Sequence, residues 1–526
     1  MTSFYQELNK SGKMSDEKEN AQSRASVDKW IFRLLLLLIG VMPLIVLANV
    51  EQVVSPLISN IDTLSSGMKG DLFTHYKALF VVVITIITGA MLLAKVFFMN
   101  GQIRKTPLNY AIGIFAVMIV LSTVFSPNIT IALGGQYNRS DGAITWICYL
   151  ALMFIAMNIE YPKNVVNYVM YTMMPFVLVN LFIITMNFYG KDLLQYGWMQ
   201  SLVSSTLPEG ASISEGSTLL GTLNHGNYMS GMFAILTLMY LSKSIVEHNI
   251  AQKVINWVMA VLAILVVLMS LSTSGFLTLL CMMTLILWLA IKNEKKVIAI
   301  LQIVVFCGVT LAGIHFLSQE NSKVWDETFG FFTSTNPYTE VEVSNQAPLD
   351  INVVELLGLN HKAYASENSI ELPENAASGI GAGSGRIYIW TYVMELVKER
   401  PLVGYGLDSL IYNFQHYNKD ARANLETADV IVDKPHNMYV SILYGTGIVG
   451  FISLIAMILY TVWHSIKEII NIKRVSNFTA VLAIGWLAFL FQAIFNDTLP
   501  GLGATLWIIV GLLIGISTVN KKEKTV

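Results

Sequence analysis

The sequence predicts an all-α polytopic membrane protein with about twelve transmembrane helices. A large, partly helical extracytoplasmic loop is expected between spans nine and ten. Three observations predict this. The 526 residues are 54% hydrophobic and only 13% charged, with a mean hydropathy of +0.58. Soluble domains carry about 25% charged residues, so a chain this poor in charge takes lipid as its solvent. Twelve apolar stretches are long enough, at about 1.5 Å rise per residue, to cross roughly 30 Å of hydrocarbon. The Lys and Arg residues between those stretches fall mainly on one side.

The expected spans are 30–50, 76–98, 108–125, 142–159, 165–189 and 226–241, then 255–271, 275–291, 297–317, 437–463, 478–495 and 501–519. With the N-terminus inside, every inner loop carries a positive charge, as at Arg104, Lys163, Lys253, Lys295 and Lys467. The short outer loops hold only Lys69, Lys77, Arg139 and Lys191. An asymmetry of about five to one obeys the positive-inside rule and puts both termini in the cytoplasm.

The expected organisation is a flexible cytoplasmic tail over 1–29, spans one to nine over 30–317, and an extracytoplasmic loop over 318–436. Spans ten to twelve follow over 437–519, and a short cytoplasmic tail over 520–526. The N-terminal segment lacks an apolar run followed by a small-residue cleavage site, so no cleaved signal peptide is expected. Cys148, Cys281 and Cys307 sit in apolar runs and read as packing residues.

A loop of this length needs a job. Its first part, 318–384, is rich in Asn, Ser, Glu and Gly without clear periodicity. From Arg386, Ile387, Trp390, Met394 and Val397 recur at helical spacing, which predicts an amphipathic helix over Arg386–Glu399 on the outer membrane face. Arg400-Pro401 ends it, Gly404-x-Gly406 reads as a tight turn, and a second helix is expected from about Asp408. The glycine pair lacks the third glycine and the preceding strand of a dinucleotide site.

Other polar clusters share the outer face. His436-Asn437, preceded by Lys434-Pro435, stands where the loop re-enters the membrane. Either residue could simply cap the tenth span, in which Gly445, Gly447 and Gly450 allow close packing or a break. Arg139, within Gly134–Gly142, runs against the charge asymmetry; Asn224 and His225 open span six, and Asp497 follows span eleven. Each could be a plain turn or cap. No clear metal site stands out: Glu340-Val341-Glu342 is the nearest approach and reads equally well as a solvated strand or loop.

These stretches resemble the O-antigen ligase and polymerase superfamily of bacterial envelope glycosyltransferases, over roughly residues 110–515. His436-Asn437, followed after nine residues by Gly447-x-x-Gly450, matches that family's His-Asn motif in spacing and is the most specific element. Arg386 through Trp390 with Pro401–Gly406 is similar to its arginine helix and following turn. Gly135, Arg139 and Gly142 look like its early Gly…Arg…Gly loop, and Gly221-Thr222-Leu223-Asn224 like its Gly-Thr-x-x-Asn element. Two positions depart from the pattern. Thr273-Ser274-Gly275 stands where the family often has Ser-Arg-Gly, and Trp390 where ligases often have leucine.

The resemblance implies an inverting, metal-independent and cofactor-free transfer in surface polysaccharide synthesis, at the outer face of the bacterial cytoplasmic membrane. The donor would be an undecaprenyl-diphosphate-linked glycan and the acceptor a glycan, lipid or protein; membrane lipids surround the chain and no nucleic-acid partner is expected. In that scheme His436 is the catalytic base. Arg386 and Arg139 hold the diphosphate, with Arg400 and Lys434 in reserve, because a planar guanidinium binds two oxygens at once. Asn437, Asn224 and His225 are further candidate substrate contacts. The main alternative is a twelve-span secondary transporter, which calls for paired charges within the spans; a non-catalytic receptor or assembly scaffold is a third reading. Polymerase and ligase remain alternatives, as do the sugar, its linkage and the acceptor.

Overall fold

A computed structural model describes residues 2–53, 67–208, 218–223, 225–333, 335–339, 385–414, 432–470 and 478–522, with backbone alone at 2–15 and 519–522. Asn224, Glu340-Val341-Glu342 and the greater part of the loop segment 318–384 fall outside the described residues.

The apolar stretches fold as helices. Among the described residues eight are long and apolar enough to cross a membrane: α2 (His75–Phe98), α6 (Val165–Phe188), α8 (Gly226–Val246), α9 (Ile250–Met269), α10 (Thr273–Lys292), α11 (Lys296–Glu320), α14 (Met438–Ile470) and α16 (Pro500–Lys522). Three shorter apolar helices stand with them, α3 (Leu108–Val124), α5 (Ala143–Met157) and α15 (Thr479–Gln492). The remaining helices are α1 (Thr2–Gly40), the short α4 (Ile129–Gly134), α7 (Gly197–Val203) and α12 (Lys323–Asp326), and α13 (Arg386–Glu399). The protein is an all-α polytopic membrane protein.

The central and peripheral helices differ in what they show to their surroundings. Nearly all of α8 and α16 is buried by other helices. α8 packs against α9, α10 and α15, and α16 against α5. Small residues permit this approach: a Cβ on Gly275 of α10 would stand 2.6 Å from the Ser230 carbonyl oxygen of α8. α11 is the opposite case, with Val297, Leu301, Val304, Leu311 and Phe316 all exposed. An apolar outer belt of this kind fits a hydrocarbon solvent.

Two expectations near the N-terminus are corrected. The expected flexible tail is part of one helix, since α1 runs unbroken from Thr2 to Gly40. The expected first span over 30–50 is helical only as far as Gly40. A 3₁₀ turn at Met42–Leu44, with Pro43 withholding an N–H, then diverts the chain. It enters an antiparallel hairpin of β1 (Asn49–Val53) and β2 (Gly67–Asp71). Ile31, Leu35, Leu38, Ile39 and Met42 recur on one face of this end of the chain and are buried.

Polar groups gather at the two ends of the bundle. At one end Lys95 bonds both carboxylate oxygens of buried Asp28, at 2.7 and 2.8 Å, and Arg104 donates to the carbonyls of Gly515 and Ile159. The opposite end collects the β-hairpin, α4, the start of α8, α13 and the segments 401–414, 432–437 and 493–499, and is called the loop face below.

Candidate functional site

The site begins with a broken helix. α14 is interrupted at Gly447, which has a φ of 73°. A break at this depth frees backbone groups that lipid cannot satisfy, and the segment after α13 satisfies them. Tyr405 and Gly406 donate their N–H groups to the carbonyls of Tyr444 and Gly445 at 3.0 and 2.9 Å, and Ile448 donates to the carbonyl of Pro401 at 2.7 Å. Gly404 (φ 67°) and Gly406 (φ 92°) make the tight turn that the sequence suggests. A side chain on Gly404 would meet the Gly445 oxygen at 2.6 Å. The Tyr405 and Tyr444 rings stack over the junction, 5.3 Å between centroids.

α13 spans Arg386–Glu399 as expected, but its buried face is Ile389, Val393, Leu396 and Val397. Ile387 is exposed, so the stripe drawn from Ile387, Trp390, Met394 and Val397 is rotated by a partial turn. No second long helix follows at Asp408. Only a 3₁₀ turn, Leu410–Tyr412, forms, because the segment is held by α14: Asn413 donates to the Tyr444 hydroxyl at 2.8 Å.

The Trp390 Nε1 donates to the Pro435 carbonyl at 2.8 Å. This bond ties α13, one turn from its start, to the residue before His436. Arg386 is near enough for its charge to act on the His436 ring. The next residue, Asn437, takes the bland role: its Oδ1 accepts from the N–H groups of Tyr439 and Val440 at 2.9 and 3.1 Å, capping α14. His436 itself adopts a left-handed backbone (φ 54°), a conformation that costs about 1–3 kcal/mol and persists where surroundings enforce it.

Arg139 is buried and fully engaged. Its Nε donates to Asp408 Oδ1 at 2.7 Å, a second nitrogen pairs with the same oxygen, and the others pair with the Asp433 carboxylate and carbonyl. Asp408 also accepts from the Gln136 N–H at 2.6 Å. The guanidinium therefore clasps two loops and has no fork left to offer an incoming anion. Arg386 contrasts with it. Half-buried, it has no carboxylate within ion-pair distance among the described residues. Burial lowers its pKa, which the more distant Asp497 opposes.

Lys434 donates to the Tyr228 hydroxyl at 3.0 Å. Burial works against its charge, yet Tyr228, Asp433 and Asp497 hold its pKa above the ordinary lysine value. His225 is close enough for Lys434 to help burial lower its pKa. Its Nδ1 accepts from the Asn227 N–H at 3.2 Å and so caps α8. Arg400 stands apart. It ends α13, roughly 20 Å along the axis from Arg386, and donates to the Phe125 carbonyl at 2.9 Å. The loop face thus brings Arg386, His436, Asn437, Lys434, His225 and Arg139 together and leaves Arg400 out.

The electrostatics favour a neutral imidazole. Desolvation, reinforced by Lys434, Arg386 and Arg139 and opposed by Asp433, lowers the His436 pKa to about 3. Beneath it a cavity is lined by Arg139, Asp433, Lys434 and Asp497, among others. Asp497 accepts from the Ser441 hydroxyl through one oxygen, and its other oxygen is buried without a hydrogen-bond partner.

Residues 258–455 match the family model described as O-antigen ligase. The chain carries an O-antigen ligase domain. A Rickettsia prowazekii protein provisionally named as a polysaccharide ligase is 32% identical over 129 residues, which cover 24% of this chain and 30% of that protein. A similarly named protein of Rickettsia typhi is 30% identical over the same length and the same shares. The chain therefore aligns with less than a third of these relatives.

The ligase domain contains Arg386, Trp390, His436 and the Gly447 break, whereas Arg139 and His225 reach the site from outside it. Both departures from the family pattern have structural counterparts. Trp390 makes the Pro435 bond that a leucine could not. At the Thr273-Ser274-Gly275 turn, the Glu327 carboxylate accepts from the Thr273 N–H at 2.8 Å and from its hydroxyl, so this turn carries an acidic partner and no arginine.

Several residues escaped the sequence reading. Asp408 and Asp433, partners of Arg139, are 269 and 294 positions from it, a separation with no sequence signature. Thr222 in the Gly-Thr-Leu-Asn element is gripped from two spans. Asn180 accepts from its N–H at 2.7 Å and donates to its hydroxyl at 3.0 Å, while Lys77 donates to its carbonyl. Lys77 stands in an apolar stretch, and that placement was the available signal.

Proposed function

We propose that this protein is a glycosyltransferase that ligates or polymerises an undecaprenyl-diphosphate-linked glycan at the outer face of the bacterial cytoplasmic membrane. The observation that carries the reading is the Trp390–Pro435 tie, which sets an unpaired guanidinium beside an uncharged imidazole on the loop face. Those are the two groups that this transfer needs.

The reaction uses them as follows. Arg386 and Lys434 hold the donor diphosphate through charge-assisted hydrogen bonds. His436 takes the proton of the acceptor hydroxyl as its oxygen bonds to the anomeric carbon. The bond from that carbon to the diphosphate breaks on the opposite side, and its electron pair leaves on a phosphate oxygen. The anomeric centre inverts. Arg139 is a positioning residue in this scheme: by joining Asp408 to Asp433 it fixes the chain three residues before His436. The leaving group is already stable as an anion, so the scheme calls for no metal, and EDTA is expected to leave turnover of the purified protein unchanged.

The anionic donor also adjusts the base. The cations that depress His436 are the ones a diphosphate neutralises, so donor binding raises the pKa of the imidazole and makes it a better proton acceptor. The deciding experiment is transfer by purified His436→Ala protein in lipid nanodiscs, with donor extracted from the source strain. Loss of transfer with retained donor binding supports the scheme. Turnover near that of the unsubstituted protein removes His436 as the base.

A further inference from the structure

We propose that the crevice between the β-hairpin with the start of α2 and the facing segment 127–145 holds the glycan of the acceptor substrate. The proposal rests on the transfer reading above and adds where the second substrate sits.

The crevice is open and has a volume of about 2170 Å³. Its lining changes with depth. At the rim stand Gln136, Ser140 and Asn128, with the tyrosines Tyr137 and Tyr412. The His75 ring bonds the Glu51 carboxylate across the rim at 3.0 Å. Further down are Leu79 and Val82, one and two turns along α2 from His75. Amides, hydroxyls and aromatic faces are the groups that bind a sugar, whose hydroxyls need both donors and acceptors and whose C–H faces stack on rings.

Charge separates the two substrates. A diphosphate needs cations, and Lys69 is the single Lys or Arg among the residues lining the crevice, with Glu51 also present. Arg386 and Lys434 stand by His436 instead. An uncharged, hydroxyl-rich ligand therefore suits the crevice, and the anionic end of the donor suits the site beside it.

The crevice also adjoins that site. Gln136 on its wall donates to Asp408, Asp408 holds Arg139, and Arg139 holds Asp433. Tyr137 is placed between the two, where both Asp71 beside the crevice and Asp433 beside His436 act on its hydroxyl. A glycan lying in the crevice with its end sugar past Tyr137 would present a hydroxyl towards the base.

The test uses the full chain in nanodiscs with two substitutions that spare the groups around His436. Thr130→Trp narrows the crevice from an exposed position on α4, and Tyr412→Ala removes an aromatic face. The acceptor probe is a water-soluble oligosaccharide released by mild acid from the surface polysaccharide of the source strain; the donor is that strain's lipid-linked glycan. The expected result is an acceptor KM raised at least tenfold in both variants, with donor KM and donor cleavage by water unchanged. An unchanged acceptor KM overturns the proposal while leaving the transfer reading intact. A matching rise in donor KM also overturns it, by placing the crevice in the donor's path. An effect seen only with a lipid-tailed acceptor assigns the crevice to an acyl or prenyl chain and overturns the glycan assignment. If the unsubstituted protein cleaves no donor at all, the transfer reading fails and takes the crevice assignment with it.

Discussion

Arg139 and Arg386 carry the same charge and have opposite tasks, because their neighbours differ. Arg139 spends its donors on Asp408 and Asp433, and breaking a buried pair costs about 3–5 kcal/mol. Arg139→Ala is therefore expected to abolish folding, read as loss of the monodisperse peak in detergent, whereas Arg386→Ala should keep it. Arg386→Lys should raise donor KM by tenfold or more, since a point charge replaces a two-pronged donor; unchanged donor KM would remove the diphosphate role. His436→Ala should lower kcat by about 10²–10⁴-fold. The pH response follows from the lowered His436 pKa, about 3, against an ordinary value near 6.5. In the free enzyme the ring stays neutral through the mildly acidic range, so kcat/KM should show no inflection near pH 6.5. In the donor complex, with its cations neutralised, the inflection in kcat should shift upward. For stability the sign is the same: a depressed imidazole pKa favours the fold above about pH 6.5, and that contribution fades as pH falls towards 3. Comparing the two pH profiles checks the first point, and thermal unfolding between pH 4 and 7 the second. His436, Arg386 and Lys434 were legible in the sequence as polar groups beside apolar runs. The use of Arg139 was not, since a lone arginine does not announce whether its carboxylates are in the protein or the ligand.

Helix α14 shows how an element becomes part of a site by being interrupted. The Gly447 break exposes backbone groups, and 401–406 fills them. Gly447→Ala puts a Cβ 2.5 Å from the Leu402 carbonyl carbon at a φ of 73°. It is expected to destabilise by about 1–3 kcal/mol, seen as a lower unfolding temperature and a larger loss of turnover than stability alone explains. Trp390→Leu, which restores the residue common in ligases, should leave the fold intact while lowering turnover, because Pro435 loses its donor. Unchanged turnover would strip that bond of its role. The bounds of α13 were readable from Arg386 and Pro401, but its buried face was not. The helix is packed on α14, and which side it buries depends on that partner. The same tertiary pull replaced the helix expected at Asp408 with a single 3₁₀ turn.

At the scale of the molecule, hydropathy locates the helices within a few residues. It fails at the N-terminus, where the polar residues before Trp30 have no periodicity and still join α1. Which end of the bundle faces outward rests on the loop charges. Lys191→Cys and Lys295→Cys, each in a chain otherwise free of cysteine, should react oppositely with a membrane-impermeant maleimide on intact cells. Labelling at 191 and protection at 295 is the expected outcome; the reverse would put His436 in the cytosol and remove access to an exported glycan.

The Arg139 clasp bears on the order of biogenesis. A ribosome emits Arg139 first, Asp408 next and Asp433 last, 294 codons after the arginine. Until the late segments are inserted, a cation destined for the interior has no counter-ion, so a nascent or prematurely ended chain keeps a conspicuous flaw that membrane proteases can detect. Completion of the protein and completion of its reactive centre become one event, and a prematurely ended chain is poorly placed to capture and waste a lipid-borne precursor.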